Sequence, residues 1–304
     1  MRLSRPFIGL ASAASALTLA FAACNPDTTA PGNHQVPALT APEALSIGRE
    51  AAGEVQSVAA SFTVGDLFGS AFDPAFAPPA TSPTGLCPAI SPIPPVDSDS
   101  DRVPDDVTLT FSLPDCHFAR DDGASLDITG TIEISDPTPT THDFGLRVAF
   151  GDFERKYTAP DGDSHLRRLS GVRQLLKTAT EFSGVDSTDA HFESTHDGSG
   201  DFTKAWVVDF KVDDGQTFGW DRHLPSGTLT VNGTSTRTRG DVTRSLAVTT
   251  LAGLHFDATC TAEQKFDAGE LQIVLTGFEH SGTIDVKFTA CGVDPTITFT
   301  PATT

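Results

Sequence analysis

Val107-Thr108-Leu109-Thr110-Phe111-Ser112-Leu113 and Leu126-Asp127-Ile128-Thr129-Gly130-Thr131-Ile132-Glu133-Ile134 decide the fold. In both, an apolar residue alternates with a polar one. Successive side chains of an extended chain point to opposite faces, so a period of two describes a strand with one apolar and one wet face. The same signal recurs from Phe144 to Phe150, Phe202 to Val212, Leu229 to Val231, Arg244 to Val248, Ile284 to Phe288 and Ile297 to Phe299. Asp122-Gly123, Asp161-Gly162, Asp197-Gly198, Asp214-Gly215 and Asn232-Gly233 supply turn chemistry between the runs. A local pattern also repeats, at Gly130-Thr131-Ile132, Gly227-Thr228-Leu229 and Gly282-Thr283-Ile284, with a spacing too irregular for a solenoid.

About ten to twelve short antiparallel strands are expected from Asp105 onward. Each must bury its apolar face. The expected fold class is therefore mainly all-β: an antiparallel multi-stranded sandwich or a curled or closed barrel, with one N-terminal helix and a Pro-rich irregular loop. Alternation alone does not separate sandwich from barrel.

Upstream the composition changes. Thr40 and Glu43 form a capping box with Pro42 in the first turn, which places a helix over 41–62 with Leu45, Ala52, Val55, Ala59 and Phe62 along one side. Residues 63–104 are dense in Pro and Asp, which excludes regular helix or a central strand and leaves an irregular cover. One domain, 41–304, contains all of this. Residues 24–40 are polar and Pro-containing and suit a flexible tether.

Residues 1–23 have the layout of a secretory signal: Arg2 and Arg5, an apolar run from Phe7 to Ala20, then Phe21-Ala22-Ala23-Cys24. The run is too short and too rich in Ala and Ser for a membrane span. A cysteine directly after small residues resembles the lipobox of bacterial lipoproteins, which implies lipidation at Cys24 and a partner in the membrane. Asn25 replaces the Asp associated with inner-membrane retention in that family. The resemblance thus implies export and a lipid anchor in the cell envelope, with the outer membrane favoured.

Beyond Cys24, Cys87, Cys116, Cys260 and Cys291 remain, an even number suited to an oxidising compartment. Three pairings are possible. Cys87 with Cys116 and Cys260 with Cys291 are favoured, because each pair brackets one compact stretch. No spacing among them fits zinc. The formal net charge is −20, and removal of Arg2 and Arg5 makes it more negative. Such a surface repels phosphate backbones, which sets nucleic acid aside as a partner.

Asp97-Ser98-Asp99-Ser100-Asp101-Arg102-Val103-Pro104-Asp105 converges carboxylates on one point, as a hard cation with six to eight oxygen ligands requires. The stretch resembles a calcium loop of the thrombospondin type 3 repeat, D-x-D-x-D-G-x-x-D. That resemblance implies bound calcium held by Asp97, Asp99, Asp101, the carbonyl of Val103 and Asp105. Arg102 stands where the family has Gly. The ion would brace the Cys87 to Cys116 loop.

Asp189, His191 and Glu193 alternate along one strand face and could hold a transition metal, though an acid-rich chain places such groups together by chance. Trp206 is in phase with Phe202, Val208 and Phe210 and reads as core, while Trp220, near a turn, is the better candidate for exposure. With 21 Phe against one Tyr, the aromatics point inward.

No nucleophile elbow, metalloprotease helix or phosphate loop is found. The preferred function is a non-catalytic envelope lipoprotein with a structural or interaction role. One alternative is a carrier for an apolar small molecule in a β-sheet cavity, and the other a secreted hydrolase or carbohydrate-binding protein without a recognisable motif.

Overall fold

A computed structural model describes residues 87–302 apart from Arg102, His142, Asp197, residues 219–223, Glu263 and residues 279–280. The signal segment, Cys24, the tether, the helix expected over 41–62, the loop up to Leu86 and Trp220 lie outside the described residues. All described residues belong to the unit Val36–Thr304.

Thirteen strands follow one another: β1 (Ala89–Ser91), β2 (Asp106–Phe111), β3 (His117–Ala119), β4 (Ser125–Ser135), β5 (Phe144–Thr158), β6 (Ser164–Lys177), β7 (Glu181–Ser194), β8 (Gly198–Val212), β9 (Gly227–Arg239), β10 (Val242–Phe256), β11 (Phe266–Thr276), β12 (Gly282–Phe288) and β13 (Thr296–Pro301). They form one antiparallel sheet in chain order, with β3 set aside from the main path as a second partner of β4. The sheet begins at β1 and ends at β13. It is neither a two-sheet sandwich nor a closed barrel. The strands are also longer than the short ones expected, reaching 15 residues in β5, β8 and β10.

Register explains the alternation. Val107 and Leu109 pair with Ile134 and Ile132, which pair in turn with Val148 and Phe150. At the far end Ile273 pairs with Ile284 and Leu271 with Val286, and β13 adds Phe299 and Ile297 to the same rows. Apart from Val107, these side chains belong to, or pack against, one hydrophobic cluster running from Val103 to Phe288. Val208, Leu229, Val231, Leu254, Leu271, Ile273, Ile284 and Val286 have no solvent exposure at all. Phe182 stacks on Phe210 at 5.4 Å, and Phe266 lies 5.2 Å from Phe288.

The Asn232-Gly233 turn expected from local chemistry does not form; both residues lie within β9. Gly233 is opposite Trp206, and an added Cβ would strike the Ala205 carbonyl and the indole, so the ring needs a glycine beneath it. The indole N–H donates to the Ser235 hydroxyl at 2.9 Å. Trp206 is half-buried on the inner face, as its phase implied. Asn232 accepts the Thr250 N–H at 2.9 Å, where the β9–β10 ladder shifts between Val248 and Leu254.

Three long strands, β6, β7 and β11, supplement the runs marked by alternation. In β6 and β7 the inner face is interrupted by charge. Asp186, buried, accepts from the Thr188 hydroxyl at 2.9 Å and lies 3.0 Å from Lys204 Nζ and 3.4 Å from Arg173 Nε. A buried carboxylate requires such partners.

Two disulfides hold the ends of the sheet. Cys87, just before β1, is bonded to Cys116 in the β2–β3 connection, and Cys260 of the β10–β11 connection to Cys291 of the β12–β13 connection. This is the favoured pairing. Sequence separations of 29 and 31 make each bridge worth about 3–4 kcal/mol through the entropy it removes from the unfolded chain. Replacing Cys260 and Cys291 together by Ser should lower the free energy of urea unfolding by about that amount. An unchanged midpoint and slope would contradict the role assigned to the bridge.

Candidate metal centre

The loop that carries the alternating aspartates enters β2 at the end of the sheet where β4 finishes and β5 begins. Its base is closed by the Asp105 N–H, which donates to the Val96 carbonyl at 2.8 Å. Val103 drives its side chain into the hydrophobic cluster and is 5% exposed. The loop is thereby pinned to the sheet at Val103 and at its base, and the aspartates between have little choice of direction.

Each aspartate caps the turn after it. Asp97 Oδ1 accepts the Ser100 N–H at 2.8 Å, Asp99 Oδ1 that of Asp101 at 3.2 Å, and Asp101 Oδ1 that of Val103 at 2.7 Å. These local bonds bring ligand oxygens of Asp97, Asp99 and Asp101 within 4.8 Å of one another. They use one oxygen of each group. Asp99 Oδ2 and Asp101 Oδ2 are buried and accept nothing, in a side chain that for Asp99 is 8% exposed.

Asp105 is turned elsewhere. Its two oxygens accept from the Ser98 N–H at 2.8 Å and the Ser98 hydroxyl at 2.6 Å, and these bonds hold its carboxyl below the ordinary range. The structure brings Asp97, Asp99 and Asp101 together and gives Asp105 the work of closing the loop.

A residue that the motif does not contain is bonded to the end of the loop. Asp136, directly after β4, is 5% exposed. Its N–H donates to the Pro104 carbonyl at 3.0 Å, and its Oδ1 accepts from the Thr138 N–H at 2.7 Å and the Thr138 hydroxyl at 3.0 Å. Asp136 Oδ2 is buried without a partner. A Cβ on Gly145 of β5 would strike Asp136 Oδ1, so the turn that holds Asp136 needs a glycine there. Burial, then the charges of Asp99 and Asp136, push the Asp101 carboxyl above its ordinary range. Sequence offered no signal for Asp136, which lies 35 positions and three strands beyond Asp101.

On the outer face, Asp189, His191 and Glu193 do project from β7 at alternate positions. Both His191 nitrogens are taken: Nδ1 is 2.7 Å from Asp201 Oδ1 and Nε2 3.0 Å from Glu193 Oε1. Asp201, then Glu193, raise its pKa. His191 and Asp201, with Asp152, Glu154, Arg168 and Asp189, line an open groove across β5 to β8. The arrangement is a hydrogen-bonded network, and no oxygen or nitrogen set there converges as the Asp97 group does.

His255 bridges two carboxylates in the same manner. Its Nε2 is 3.0 Å from Asp213 Oδ2 in the β8–β9 connection, and its Nδ1 is 2.6 Å from Asp267 Oδ1 of β11. Burial alone would depress its pKa, but the two hydrogen-bonded carboxylates overcome it and leave it raised above 6.5.

No protein-family model, curated protein or solved structure matches this chain.

A raised histidine pKa contributes stability that is fully present below the unfolded value of 6.5 and disappears as pH climbs through the higher folded value. His255→Gln should therefore lower the melting temperature more at pH 6 than at pH 9, measured by circular dichroism. Equal losses at both would show that His255 acts in its neutral form.

Proposed function

We propose that this chain is a non-catalytic lipoprotein of the cell envelope, exported, anchored by lipid at Cys24 with the outer membrane favoured, whose β-sheet body has a structural or interaction role at the membrane surface. The observation that carries this reading is the cysteine arithmetic. Four of the five cysteines are consumed in two bridges, and the one left over is Cys24, at the end of a signal-like segment. Two bridges fit an oxidising compartment, which an exported body enters and a retained one does not.

The body suits such a role. Its inner face carries one hydrophobic core in which the phenylalanines of the described residues pack ring against ring. That favours a structural body over a carrier of an apolar small molecule. The chain is acidic overall, with a net charge of −20, which keeps an anchored protein apart from anionic lipid and attracts cations or basic envelope proteins. Bound calcium is the cofactor this reading assigns to the loop at Asp97 to Asp105, where it would brace the Cys87 to Cys116 segment.

Expressed at full length in a bacterial host, the protein should sediment with membranes and leave them only in detergent, while Cys24→Ser should be released in soluble form with both bridges intact. Sedimentation of both forms, or of neither, would contradict anchoring through lipid at Cys24.

A further inference from the structure

We infer that a basic region of the sheet's inner face is the docking surface for residues 41–86 of the same chain, an acidic segment. The inference concerns the body alone and stands apart from the lipid anchor and the calcium reading.

The surface emerges from the register. Phe153, Leu169, Ala190, Phe202, Arg237 and Arg244 stand directly opposite one another on six successive strands, β5 to β10. Phe153 and Leu169 are buried in the core, so the row faces inward. Two residues further along, Arg155 opposes Arg167, which opposes Phe192, and Arg239 takes the same face as Arg237. On the other side of the row, Lys204 stands between Thr188 and Ser235, and Arg173 opposes Asp186. Among the described residues, these rows carry seven cations and one acid, in a chain whose net charge is −20.

The arrangement calls for carboxylates. In Arg155–Arg167 and Arg237–Arg244, like charges stand directly opposite each other, which destabilises a ladder unless negative charge lies nearby. Asp186 is committed to Thr188, Lys204 and Arg173. The excess positive charge must therefore be met by acids from outside these rows.

Residues 41–86 supply them, with Glu43, Glu50, Glu54, Asp66 and Asp73 against Arg49. Glu43, Glu50 and Glu54 are spaced by seven and four residues, which places them on one face of the helix that the sequence predicts over 41–62. The segment also brings Phe62, Phe68, Phe72 and Phe76, while the basic rows are interleaved with the half-buried rings of Phe192, Phe202 and Trp206. Arg237 lies over the Phe192 ring at 5.4 Å and Lys204 over Trp206 at 5.9 Å, contacts that hold the cations in place.

Where the segment ends decides which face it meets. Cys87, the next residue, is bonded to Cys116, which is 1% exposed within the hydrophobic cluster, so the chain joins the body on the inner side of the sheet. The compact unit that holds the sheet begins at Val36, ahead of the whole segment. Residues 63–86 span up to about 80 Å when extended, and β10 is about 40 Å from β1 along the sheet, so the reach suffices. A covalently attached segment acts at an effective concentration on the order of millimolar, an advantage that no anion from solution has. Docked there, it screens the basic surface from anionic lipid and leaves residues 24–40 as the whole tether, about 60 Å at full extension.

The test is hydrogen exchange, read by mass spectrometry, on the full-length protein in detergent. Amides of residues 43–62 should exchange about tenfold or more slowly in the wild type than in Glu50→Arg/Glu54→Arg or in Arg237→Glu/Arg244→Glu. The first variant leaves the sheet's own sequence untouched and keeps a similar helix propensity, so it reads charge alone even where the second disturbs the sheet. Combining the two reversals should bring the protection back, which a damaged sheet could not do. Residues 43–62 that exchange freely in the wild type, or whose protection neither reversal changes, would overturn the docking. So would an anion found on the wild type by native mass spectrometry and lost from Arg237→Glu/Arg244→Glu while residues 43–62 exchange freely, since the face would then belong to a ligand from outside the chain.

Discussion

Everything in this protein depends on one face of one sheet. From β2 to β13 each strand presents its inner side chains in register with those of its neighbours, so a single hydrophobic cluster runs the breadth of the sheet. The hydrophobic effect is proportional to apolar area removed from water and has no preferred direction, so the pairing register must supply the order. A slip of one residue in any ladder would turn a row such as Leu109, Ile132 and Phe150 toward solvent.

An open sheet has two edges, and each is treated differently from the interior. β1 is three residues long between Pro88 and Pro92, and β13 follows Pro295 and ends at Pro301. Proline and brevity limit what an edge can pair with. The bridges add tethers near both edges, Cys87 to Cys116 on the β1 side and Cys260 to Cys291 on the β13 side. The aspartate loop stands at the β1 side as well, and its pinning by Val103 and by the Asp105–Ser98 bonds extends the hold on that edge. Ordered chain near an edge is thus obtained from covalent bonds, proline and charge, where the interior uses packing.

Much of this was legible in the chain itself. Alternation identified most of the strands, and the all-β class, because an exposed outer face and a buried inner one leave a two-residue period. β6 and β7 escaped for a physical reason. Their inner positions include Gly171, Arg173, Gly184, Asp186 and Thr188, whose polarity cancels the alternation although the residues face the core. Asn232-Gly233 misled for the opposite reason. Its local turn chemistry was overridden by the ring of Trp206, which needs a glycine beneath it on the next strand.

The site was half legible. Asp97, Asp99 and Asp101 converge because each bonds a backbone N–H a few residues ahead, a local matter that spacing reveals. Asp105 turns to Ser98 instead, a choice of partner that spacing does not reveal. The fold class and the bridge pairing stand on the structure. Export and the anchor are proposals, which rest on the leftover cysteine at the end of the signal-like segment.

The most direct measurement is peptide mapping by mass spectrometry of the full-length protein isolated from membranes and digested without reduction. The account expects cross-linked peptides joining Cys87 to Cys116 and Cys260 to Cys291, with Cys24 as the first residue of the mature chain and carrying a lipid mass. A free Cys24 thiol behind an uncut leader, or Cys24 joined to any of the other four cysteines, would contradict it.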